Sequence, residues 1–97
     1  MPQKKLPSDP EEMNQQRADG AGETLDYFAQ NHGEPYSTEN EDERRELIAQ
    51  NLSDLLANFA HYCDREGVAL ADCLRRAANH YNEETDDQGA QKFEANQ

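Results

Sequence analysis

The sequence predicts an all-α protein: a short N-terminal helix, then an antiparallel helical hairpin, with disordered acidic tails at both ends. Three observations predict it. Apolar residues recur every three or four positions through the middle of the chain. The few β-branched residues never alternate with polar ones over a strand length. Pro and Gly gather before residue 23 and again at 33 to 35, and after that only Gly67 interrupts the pattern before the C-terminal tail. With 97 residues and 34% hydrophobic content, the chain supports one small domain over 23–84. A core of that size hides only about 60% of the surface its unfolded chain exposes.

Residues 1–22 hold three prolines, two glycines and the run Glu12 to Arg17, whose only apolar member is Met13; they read as a solvated tail. A first helix is expected over Glu23 to Asn31, where Leu25, Phe28 and Ala29 share a face, and His32-Gly33 followed by Pro35 stops it. Glu34 to Thr38 is a connector. Thr38 stands three residues before Glu41, the spacing of a capping box, and the acidic run Glu39 to Glu43 suits the positive end of a helix dipole. From that cap to Gly67 nothing breaks the pattern, which gives a second helix of about 27 residues and about 40 Å. Ile48, Leu52, Leu55, Phe59 and Tyr62 form its stripe, flanked by Leu56 and Cys63, and this stripe is the expected core face. Gly67 closes the helix in a left-handed turn with Arg65 near its carbonyl end. A third helix, Leu70 to Glu83, presents Leu70, Cys73, Leu74, Ala77 and Tyr81, and its start at Ala69 lacks a good cap. The short turn at Gly67 folds the second and third helices into an antiparallel pair. Residues 85–97 carry Asp86, Asp87, Gly89 and several amides around a lone Phe93, and read as a second disordered tail.

The formal charge of -12 excludes broad classes of partner. Binding of DNA or RNA phosphates draws on clustered Lys and Arg, which this chain lacks. An anionic membrane surface is disfavoured for the same reason, and no stretch approaches the roughly 18 apolar residues of a membrane span or the apolar core of a signal peptide. The expected location is cytoplasmic. The electrostatically natural partner is a basic protein or a nucleic-acid-binding protein. A homodimer, two hairpins completing a four-helix bundle, competes with a three-helix monomer.

Catalytic constellations are missing. There is no glycine-rich phosphate loop, no His-Glu-x-x-His and no Gly-x-Ser-x-Gly. Cys73 and His80 are two turns apart, about 10 Å along the axis, too far to share a proton. Cys63, Cys73 and His80 are soft metal ligands near one end of the hairpin, but the spacing is not that of a zinc ribbon or finger, and packing of two thiols is the plainer reading. Whether the two cysteines are packed thiols or a redox pair stays open. No catalytic residue, metal ligand or cofactor is therefore expected.

Two stretches carry family resemblances. Asp42-Glu43-Arg44-Arg45-Glu46 and Asn51-Leu52-Ser53-Asp54 resemble in outline the carboxylate motifs of MazG-type nucleotide pyrophosphohydrolases, which hold magnesium. Asn51 stands where that family has a glutamate, and both stretches fall on one straight helix, so their oxygens do not converge. The run Arg44-Arg45-Glu46-Leu47-Ile48, Leu52-Ser53-Asp54-Leu55-Leu56, His61-Tyr62-Cys63-Asp64-Arg65-Glu66-Gly67-Val68 and Leu74-Arg75-Arg76-Ala77 before His80-Tyr81 is similar to short uncharacterised helical proteins of bacteria and their phages or plasmids. That resemblance implies an all-helical fold and a mobile-element origin, and brings no activity with it. On the polar face of the second helix, Asp54, His61 and Asp64 form the candidate interaction surface. The function expected is a non-enzymatic, acidic protein-interaction module. Its alternatives are a degenerate pyrophosphohydrolase and an acidic nucleic-acid mimic that inhibits a host defence complex.

Overall fold

A computed structural model describes residues 9–85. Among them the chain forms three helices and no strand: α1, Pro10–His32; α2, Glu41–Glu66; and α3, Leu70–Glu84. Of the tails expected over 1–22 and 85–97, residues 1–8 and 86–97, Phe93 included, lie outside the described residues.

α1 begins at Pro10, not at Glu23, so residues 10–22 are helix where a solvated tail was expected. The local chemistry explains the difference. Asp9 accepts the Glu11 N–H through its side chain at 3.0 Å, and its carbonyl accepts the Met13 N–H at 3.0 Å. Pro10 occupies the first helical position, where its missing N–H costs nothing, and Glu11 and Glu12 face the positive dipole end. Gly20 and Gly22 lie inside the helix, where an added Cβ would meet nothing within 4 Å.

The α2 cap also differs by two residues from the sequence expectation. Asn40, not Thr38, is the N-cap: its side chain accepts the Glu43 N–H at 2.9 Å. Thr38 supports that cap from outside the helix, accepting the Asn40 N–H at 3.2 Å and donating to Glu43 Oε1 at 2.7 Å. At the far end Gly67 adopts φ 73°, ψ 28°, and the Val68 N–H reaches the Cys63 carbonyl at 2.9 Å. This is the left-handed closure that the lone glycine implied. α3 follows after three residues, with Asp72 in its first turn paired to Arg75.

Two compact units divide the chain. In the unit Gly20–Leu70, Phe28, Ala29, Tyr36 and Asn51 are buried. The connector that leaves α1 is fastened to α2 through Asn51, and Arg44 lies over the Tyr36 ring at 5.6 Å. The buried side of α2 in this unit is therefore the one bearing Leu47, Ile48, Asn51 and Leu55, with the exposed Arg44 at its margin. In the other unit, described over 9–19 and 71–85, Ala78 is buried. Asn14 donates to the Glu84 carbonyl at 2.9 Å, and Arg17 pairs with the Glu84 carboxylate at 3.6 Å. Arg17 also donates to Asn14 Oδ1 at 2.7 Å, so the polar run that looked like tail supplies the side chains that satisfy an orphan carbonyl at the end of α3.

Candidate interaction surface

Of the stripe expected to be the core of α2, Ile48 and Leu55 are half-buried, while Leu52, Phe59 and Tyr62 are exposed. Leu52 and Phe59 are 45% and 43% exposed and Tyr62 is more exposed still; of the flanking residues, Leu56 is 38% exposed and Cys63 half-buried. The physical reason is a rotation of the buried face. At 100° per residue, the apolar arc of α2 is broad enough for two neighbouring stripes. The connector takes the one centred on Asn51, and Leu52, Leu56, Phe59 and Cys63 remain as a second stripe at spacings of four, three and four. On α3, Leu70, Cys73 and Leu74 are half-buried and Ala78 is buried, while Ala77 and Tyr81 are exposed.

Asn51 is the polar centre of the buried side. Fully buried, it accepts the Glu34 N–H at 2.9 Å and donates to the Glu34 carbonyl at 2.6 Å and to the Leu47 carbonyl at 2.8 Å. One carboxamide thus does for Glu34 what a neighbouring strand would do, pairing both backbone groups of one residue. Gly33 lies so close that a Cβ there would stand 2.2 Å from Asn51 Oδ1 and 3.3 Å from the Phe28 ring. The Asn51 carboxamide is thereby engaged in holding the connector.

Asp54, His61 and Asp64 are all exposed on α2. Asp54 and His61 are seven residues apart and share a face; Asp64 lies further round the helix. Asp54 is two residues from both Leu52 and Leu56, so it stands on the side away from the apolar stripe. His61, together with Asn58, Tyr62 and Arg65, lines a shallow open depression of about 270 Å³, to which Asp54 and Asp64 do not contribute. Arg65 lies over the Tyr62 ring at 5.1 Å and pairs with Glu66 at 3.4 Å.

The remaining carboxylates of the first turns are held locally: Asp42 pairs with Arg45 at 2.7 Å, and Glu41 with the same guanidinium at 3.5 Å. Cys63 and Cys73 are free thiols, each half-buried. Among the described residues no group of three or more His, Cys, Asp or Glu side chains is arranged to hold a metal ion, and no helix is long and apolar enough to cross a membrane.

Charge follows the same division of α2. From Leu47 to Cys63 the only acidic or basic side chains are Asp54 and the titratable His61, in a chain of formal charge -12. The apolar stripe is therefore set in a nearly neutral segment between an acidic first turn, Glu41 to Glu43, and the charged end Asp64-Arg65-Glu66. Sequence reasoning found these residues by their periodicity but assigned them to the core, because an uncharged apolar stripe reads the same whether it is covered or open. No family model matches the chain, and no curated protein or solved structure matches it.

Proposed function

We propose that this chain is a non-enzymatic, cytoplasmic protein-interaction module that presents α2 to a protein partner. The observation that carries the reading is the exposed apolar stripe Leu52, Leu56 and Phe59, on a helix anchored from its other side by Asn51. Large apolar side chains gathered on one exposed face mark contact sites, whereas single exposed ones do not. The net charge supplies long-range attraction toward a basic or nucleic-acid-binding protein, and the stripe, separately, supplies an apolar contact surface. Engagement of Asn51, Glu43, Asp42 and Glu41 in local bonds supports a non-catalytic role for the segment that resembles pyrophosphohydrolase motifs. The likeness to short phage and plasmid proteins supports a mobile-element origin.

The test is site-specific photo-crosslinking in cells that naturally make the protein. A photoreactive amino acid in place of Phe59 should give a discrete adduct with a protein, and one in place of Gln50, nine residues away and on the opposite side of α2, should not. Adducts of equal yield at both positions, or none at Phe59, would refute the reading.

A further inference from the structure

We infer that the open stripe of α2 is the contact by which two copies of this chain pair, antiparallel, through Leu52, Leu56, Phe59 and Cys63. The inference rests on the interaction-module reading and names an occupant for its surface. The spacing identifies the kind of element that fits. Steps of four, three and four are those of a seam covered by another helix, whose side chains insert between the ridges.

Charge selects the copy. A basic partner helix would look for carboxylates beside the stripe, and from Leu47 to Cys63 the single carboxylate, Asp54, stands on the far side. A second copy finds there the one long segment of a -12 chain that it can approach without bringing like charges together. The same argument fixes direction. A parallel pair would set Glu41, Asp42 and Glu43 of both copies at one end; an antiparallel pair centred between Leu56 and Phe59 separates the two acidic turns by about 46 Å. It also opposes the helix dipoles and makes the contact self-complementary about a two-fold axis between Leu56 and Phe59.

The contact is modest in size. Leu52 to Cys63 spans about 17 Å of helix and, at a helix width of about 10 Å, offers a strip on the order of 200 Å², well short of the roughly 800 Å² per partner of a standard stable interface. The dimer is accordingly a concentration-dependent one, with a dissociation constant of order 100 µM.

Sedimentation equilibrium of the purified full chain at about 10 µM and about 1 mM, in roughly 0.15 M salt where charge repulsion is screened beyond about 8 Å, reads this directly. The mass should move from monomer toward dimer over that range. Leu56→Gln with Phe59→Gln, substitutions that keep good helix formers at exposed positions, should raise the dissociation constant at least tenfold with the helical circular dichroism unchanged. As a second measurement, in chains whose native cysteines are replaced by Ser, Leu56→Cys should form an oxidised dimer at 1 mM and His61→Cys should not. A strict monomer at 1 mM, a dimer indifferent to the glutamine pair, or equal cross-linking at both cysteine positions would overturn the proposal. If the chain is monomeric yet the Phe59 photo-adduct contains a foreign protein, only the second-copy proposal falls; if that adduct is missing as well, the module reading falls with it.

Discussion

Replacing Asn51 tests how the connector is held. In Asn51→Ala the Glu34 N–H and carbonyl both lose their side-chain partner, bonds of 2.9 and 2.6 Å. The Leu47 carbonyl keeps its helical hydrogen bond and loses little. Two intramolecular bonds at about 1 kcal/mol each, plus about 1 kcal/mol for the contacts of the deleted carboxamide at a fully buried site, give a cost of about 2–3 kcal/mol. Urea unfolding at pH 7 measures it, and hydrogen exchange at the Glu34 amide localises it, since that proton should lose protection before the middle of α2 does.

The near-isosteric Asn51→Asp separates bonding from volume. Its carboxylate can still accept the Glu34 N–H but turns lone pairs toward the Glu34 and Leu47 carbonyls, so the folded state disfavours the ionised form. Its folded pKa then lies above the unfolded value of about 3.9. The native variant holds the proton more tightly than the unfolded chain, and its stability relative to the parent falls as pH rises from about 4 to 7 and returns on acidification. Asn51→Ala within 0.5 kcal/mol of the parent, or an Asp variant equally damaged at pH 4 and 7, would refute this account of the clamp.

Gly33→Ala should cost about 2–4 kcal/mol, because its Cβ falls 2.2 Å from Asn51 Oδ1, and most of that penalty should vanish in the Asn51→Ala background when the double-mutant cycle is read by urea unfolding. Gly20→Ala and Gly22→Ala, at helical sites with open space around the new methyl group, should each raise stability by about 0.5–1 kcal/mol in thermal melts; a loss from either would mean that α1 is not continuous there. Leu55→Ala, at a half-buried position, should cost about 1–2 kcal/mol, below the usual range of roughly 2–5 for a fully buried leucine, and Phe59→Ala should cost less than Leu55→Ala at low concentration. The reverse order would restore the stripe to the core.

The helix class, the long α2, its closure at Gly67 and the start of α3 were legible because each depends on local chemistry: periodicity, an uninterrupted run and a single glycine. The start of α1 was equally local. Asp9, Pro10, Glu11 and Glu12 form a standard helix opening, but the nearby prolines and the two interior glycines outweighed it in a reading by composition. The buried side of α2 was not legible in the same way. Which stripe of a broadly apolar helix is covered depends on what packs there, and Asn51, a polar residue, marks the covered side. Its role required knowing that Glu34, seventeen residues earlier in the chain, returns to meet it. Asp54, His61 and Asp64 are all exposed on α2, and of the three His61 borders the depression beside Tyr62 and Arg65.

The Gly33–Asn51 approach constrains how this chain can diverge. Among side chains, Asp lacks the donor, Gln is one methylene too long and Ser is too short to serve both backbone groups of Glu34, while any side chain at position 33 would need the space that Asn51 Oδ1 fills. Neither residue can change alone without freeing the connector, whereas the charged positions of α2 outside the apolar stripe can change almost at will. Distant kin should therefore share little of the charged surface and still keep a glycine followed, eighteen positions on, by an asparagine in the first half of a long helix, a two-residue signature by which their ancestry can be recognised after overall identity has faded.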